Sequence, residues 1–190
     1  MFTCKKHTFD TLEVKQSKFI AHIMPYTEFE SRLETLKNEH PKARHFVTAF
    51  RYINEHEQIV EGSSDDGEPK GTSGKPSLYV LQGNELINVA VIIVRYFGGT
   101  KLGTGGLVRA YSDAVNLVIE SMELYEYKKL SELIFSCSYH ELGKVEYILG
   151  KFDIDILEKD FSDNVTCKVE ATHTQLESMK SELERIITIL

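Results

Sequence analysis

The sequence has no C-x-x-C pair, no apolar run of bilayer length, no surplus of positive charge and no repeated or low-complexity tract. Each absence excludes something. The three cysteines, Cys4, Cys137 and Cys167, lie far apart. That spacing argues against a disulfide framework or a zinc ribbon and suits a reducing compartment, so a cytoplasmic setting is expected. No stretch approaches the roughly 20 apolar residues that a membrane span needs. The opening MFTCKKHTFD has no apolar centre and does not read as a signal peptide. A net charge of −7 and a pI near 5.5 oppose nucleic-acid binding driven by charge over the whole surface. Any such binding has to use a local patch.

What is present is enough for one large or two small domains: 190 residues, 42% hydrophobic and 27% charged, the balance of a soluble globular protein. The charge is uneven. Through Met122 there are 14 basic against 15 acidic residues, and from Glu123 there are 8 against 14. The stretch from Leu86 to Ser112 contains no Asp or Glu at all. Within it, VIIVRYFGGTKLGTGGLVRAYS (Val91–Ser112) organises the chain. A short β-branched run, Val89–Val94, reads as a buried strand. A helix follows from about Thr104, with Leu107, Ala110, Tyr111, Ala114, Val115, Val118 and Ile119 on one face. Between them lie Gly98, Gly99, Gly103, Gly105 and Gly106.

A strand, a glycine loop and a helix start form an arrangement in which free N–H groups and the helix dipole can hold an anion. Arg95, Lys101 and Arg109 flank the loop, and these three cations with the five glycines and Thr104 are the candidate anion-binding residues. Neither familiar phosphate motif is complete. Thr104 stands where a P-loop requires lysine after Gly98 and Gly103, and Val108 stands at the third glycine of a dinucleotide motif begun by Gly103 and Gly105. The glycines therefore fit two readings: a tight packed connection, or contact with a phosphate or nucleic-acid backbone.

Along the chain, His7–Gln16 and Ser17–Tyr26 read as strands, and Thr27–Glu39 as a helix with a capping box of Thr27 and Glu30. Ala43–Ile53 is an aromatic-rich strand. Asn54–Pro76 reads as a long polar loop, followed by a short helical turn at Ser77–Gln82. The first domain ends near Met122, giving domains 1–122 and 123–190. The second reads strand, helix, strand, strand, helix (βαββα), ferredoxin-like in outline, with a last strand either at Ile189-Leu190 or missing.

Several side chains carry candidate chemistry. Asp65, Asp66 and Glu68 are possible Mg²⁺ ligands, although they lack the alternating spacing of a calcium loop and also suit a solvated turn. The loop that carries them, with Gly71 and Thr72, is expected to form one cleft with the glycine loop. His45 lies on a strand and suits a hydrogen-bonded structural role as well as a basic one. Ser112 lacks a G-x-S-x-G context, so no catalytic constellation is identified. Tyr96, Phe97 and Tyr111 suit either base stacking or core packing.

SSDDGEPKGTSGKPSL (Ser63–Leu78), NVAVIIVRYFGGTKLGTGGLVRAYSDAV (Asn88–Val115) and ARHFVTAFRY (Ala43–Tyr52, with His45) resemble the signature blocks of the Impact/YigZ family. Ser73 stands where alanine is common. The resemblance implies an α+β protein of two domains. The first would share the fold of a ribosomal small-subunit protein domain and of domain IV of elongation factor G. The second would be ferredoxin-like, as in that factor's domain V. Residues and resemblance together are read as a translation- or stress-associated regulator that binds RNA or a ribosomal partner through the glycine-rich cleft, with no cofactor expected. A Mg-dependent, phosphate-directed enzyme using Asp65–Glu68 and a protein-interaction regulator using the acidic second domain are the alternatives. Eukaryotic members act on a stress kinase through an extra N-terminal domain; this sequence opens at the Impact-like part, so that partner is not carried over.

Overall fold

The computed structural model describes residues 1–190, which divide into two compact units, Met1–Tyr127 and Lys128–Leu190. In the first unit the order is β1 (Phe2–Thr3), β2 (Thr8–Val14), β3 (Ser17–Pro25), α1 (Phe29–Glu39), β4 (His45–Ile53), β5 (Ile59–Ser64), α2 (Gly74–Gly83), β6 (Val89–Tyr96), α3 (Gly103–Ser121) and β7 (Tyr125–Glu126). Five strands form an antiparallel sheet in the order β2-β3-β6-β4-β5. The division falls after Tyr127 rather than at Met122 because β7 pairs with β1, which ties the connecting segment back to the N-terminus.

The central strand explains the uninterrupted apolar run. Side chains alternate across a sheet, and both faces of β6 are covered. Val89, Val91 and Ile93 pack with Leu107, Tyr111, Val115 and Val118 of α3 and Leu81 of α2. Ala90, Ile92 and Val94 pack with Leu36 of α1 and with Phe46 and Phe50. Each fully buried Val or Ile contributes about 1.5–3 kcal/mol, so this strand anchors the unit. The same alternation carries Arg95 onto the α3 side at the end of the strand. It lies directly across from Phe19 of β3 and His45 of β4.

Three local expectations are corrected. Thr27 caps nothing: a 3₁₀ turn occupies Tyr26–Glu28, and α1 starts one residue later with no side-chain cap. The polar segment Asn54–Pro76 is not all loop. Ile59–Ser64 pairs with β4 as an edge strand, which tolerates polar residues because one edge of it faces no partner. The turn expected at Ser77–Gln82 is a ten-residue helix that begins at Gly74.

The second unit consists of β8 (Leu130–Cys137), α4 (Leu142–Lys151), β9 (Ile156–Phe161), β10 (Val165–Thr172), α5 (His173–Leu183) and β11 (Ile187–Ile189). Its antiparallel sheet has the order β11-β8-β10-β9, the ferredoxin-like arrangement. The last strand exists and lies at Ile187–Ile189, because α5 stops at Leu183 and leaves enough chain to pair with β8. Phe135, Cys137, Val165 and Cys167 meet Val145, Leu149, Leu176 and Met179 in this unit's own core.

Candidate functional site

The site grows from three segments of the first unit: the end of β6, the loop into α3, and the loop between β5 and α2. The last is held by Asp65. Its carboxylate accepts N–H bonds from Gly71 (2.7 Å), Ser73 (3.1 Å) and Gly74 (2.8 Å), and the Ser73 hydroxyl (2.7 Å). Partial burial pushes the Asp65 carboxyl up, but these bonds outweigh it and leave it below its ordinary value. Thr72 is buried, with its hydroxyl given to the Pro69 carbonyl at 2.6 Å. Asp66 accepts the backbone N–H of Phe46 at 2.6 Å, and its carbonyl accepts His45 Nδ1–H at 2.7 Å. His45 thus has a partner that its strand neighbours did not reveal.

Glu68 is turned inward. It is 8% exposed, pairs with the 5%-exposed Arg95, and accepts the Tyr111 hydroxyl at 2.8 Å. Burial first, then the Glu68 charge, drives the Tyr111 phenol upward. Tyr111 itself is fully buried edge-on against Phe19, so it is no stacking platform. Tyr96 is engaged by His40 at 2.9 Å, while Phe97 remains 47% exposed.

The two loops do form one concavity, of about 440 Å³. Arg44, His45, Glu68 and Pro69 line it from one side, and Arg95, Phe97, Lys101, Leu102, Gly103, Thr104 and Leu107 complete it. Arg95 and Glu68 cancel each other's charge. Arg44 and Lys101 are exposed and in no ion pair, so the cleft is net cationic in an acidic protein. The start of α3 opens here without a side-chain cap and without an acid in its first turn, which leaves its N–H groups and dipole free to act on an anion.

Not every predicted residue is brought to this place. Arg109 and Gly106 line a separate hollow of about 200 Å³ with Val14, Lys15 and Asp113. Arg109 lies six residues beyond Gly103, about one and two-thirds turns on and so on a different side of the helix. Gly71 borders a further groove between α2 and α3, and Gly98, Gly99 and Gly105 stand outside the cleft lining. Gly98 answers to packing: a Cβ there would meet the Gln16 carbonyl carbon at 2.0 Å. Gly99 and Gly103 have φ of +88° and +75°, which only glycine adopts at little cost. Arg95 is a structural ion-pair partner on the cleft wall rather than a free cation. Asp65, Asp66 and Glu68 do not act as one cluster, since each carboxylate serves different protein donors. Arg44 was missed; its only signal was its place beside His45 at the mouth of β4.

Fold and cleft together define a two-unit α+β protein whose first unit carries a cationic cleft. The family model for the Impact N-terminal domain matches residues 15–119, and one for a domain of unknown function, DUF1949, matches residues 135–186. The chain belongs to the Impact family. It is 35% identical over 174 residues to the IMPACT family member YigZ of Escherichia coli, covering 90% of this chain and 85% of that one. It is 35% identical over 167 residues to YvyE of Bacillus subtilis, covering 86% and 76%. A crystal structure of a hypothetical protein superposes with a TM-score of 0.68 at 30% identity, over 100% of this chain and 95% of the other.

Proposed function

We propose that the protein is a translation-associated regulator that acts in the cytoplasm by binding RNA through the cleft of its first unit. The observation that carries this reading is the opening of an uncapped, 19-residue helix into a cleft where Lys101 and Arg44 are unpaired and the only acid is neutralised. Backbone N–H groups at Gly103 and Thr104 would take a phosphate oxygen, with Lys101 supplying charge. Membership of the Impact family supports the translational setting, and the local patch answers the objection raised by the acidic net charge. No helix is long and apolar enough to cross a membrane.

The test is affinity for a structured RNA as a function of salt. Lys101→Ala and Arg44→Ala should each lower the salt slope by about one phosphate contact and weaken binding for all sequences. Arg109→Ala, outside the cleft, should change it less. An unaltered slope and affinity in the Lys101→Ala/Arg44→Ala double variant, with wild-type thermal melting, would leave packing as the whole reason for the glycine loop.

A further inference from the structure

Phosphate contact accounts for only part of the cleft. Arg44, Lys101 and the start of α3 suit an anion, but Pro69, Phe97, Leu102 and Leu107 are apolar and line the same concavity. A groove that only follows a sugar-phosphate backbone has no use for such walls. Phe97 is nearly half exposed although it directly follows a buried strand, and the Arg95 guanidinium carbon lies 5.8 Å from its ring centroid. An aromatic ring presented beside cations is how proteins hold a base that is free of its stack. An independent observation concerns Arg95. Its side chain is only 6% exposed and borders the cleft, yet Nε has no hydrogen-bond partner, while its charge is already balanced by Glu68. A buried donor in that condition calls for an acceptor.

We infer that the cleft receives one nucleotide with its base unpaired, the phosphate at the first turn of α3 beside Lys101 and the base against Phe97. The ligand class is single-stranded RNA. This rests on the RNA-binding reading above and narrows it. In a duplex both faces of each base are covered by neighbouring bases, so Phe97 has no face to meet. A volume of about 440 Å³ is in the range that encloses a single small molecule.

The test uses the whole chain, a short oligoribonucleotide carrying 2-aminopurine, and a duplex of the same length at the same salt. The single strand should bind at least about tenfold more tightly, with quenching of the fluorescent base on binding. Phe97→Ala should abolish the quenching and weaken binding about tenfold while keeping the salt slope, and Phe97→Trp should restore both. Since Phe97 is exposed, melting should confirm that these variants fold. Equal affinity for duplex and single strand, or quenching unchanged in Phe97→Ala, with a salt slope that still depends on Lys101, would overturn this inference and leave RNA binding standing. No binding of either RNA would overturn both.

Discussion

At the scale of single residues, the Glu68–Arg95–Tyr111 contact joins the β5–α2 loop to β6 and α3. Removing one member of a buried pair leaves the other charge stranded, so Glu68→Ala should cost about 3–5 kcal/mol in denaturant unfolding. Tyr111→Phe, which loses one bond to a charged acceptor, should cost about 1.5–3 kcal/mol. An exposed-type effect near zero for Glu68→Ala would show the pair to be solvated. None of this was legible in the sequence, where Asp65, Asp66 and Glu68 form one acidic cluster; only the fold shows that each faces a different partner. His22 was equally silent. It is 5% exposed, stacks on His7, and leaves Nε2 without a partner. Burial, then the charges of His7, His40 and Arg32, bring its pKa down to about 3. The unfolded chain, with His22 near 6.5, binds the proton first as pH falls, so stability is lost below about pH 6.5. Between pH 7 and 5 this residue should remove about 2 kcal/mol. A His22→Leu variant should lack that part of the pH dependence; the same dependence in both proteins would assign it elsewhere.

At the scale of elements, periodicity located α3, β6 and the second unit's strands because each has a full apolar face. It failed where the signal was local chemistry. A threonine followed three residues on by glutamate suggested a cap at Thr27, but the chain enters α1 through a 3₁₀ turn. The genuine capping box is at Thr172 with Gln175, where the reciprocal bonds form. Thr172→Ala should therefore cost about 1 kcal/mol and Thr27→Ala less than about 0.5. Thermal melting of the two variants checks this, and a larger loss for Thr27→Ala would contradict it. The edge strand β5 carries no strand signal in the sequence because its inner face offers only Val60 and Gly62 to the pattern. Gly62 carries no side chain because Phe50 fills that space. The glycine loop was legible in composition but not in role: Gly98 is dictated by the β2–β3 backbone, whereas Gly103 shapes the entrance of α3.

At the scale of the whole molecule, each unit has its own core, and the cleft belongs entirely to the first. A chain cut after Tyr127, which retains the β1–β7 pair, should therefore keep its RNA affinity and salt slope. The sequence alone separated the units and singled out the Lys101–Thr104 end of the cleft. It placed Arg109 there wrongly and omitted Arg44, because which side of a helix or strand meets a neighbouring loop depends on packing that a one-dimensional pattern does not contain. Photocrosslinking with a 4-thiouridine RNA, followed by mass spectrometry of the digested protein, locates the RNA on the first unit. Crosslinks are expected in the segments spanning Arg44–His45, Glu68–Pro69 and Arg95–Leu107, diminished by Lys101→Ala. Crosslinks confined to residues 128–190, or unaffected by changes in the cleft, would contradict RNA binding in this cleft.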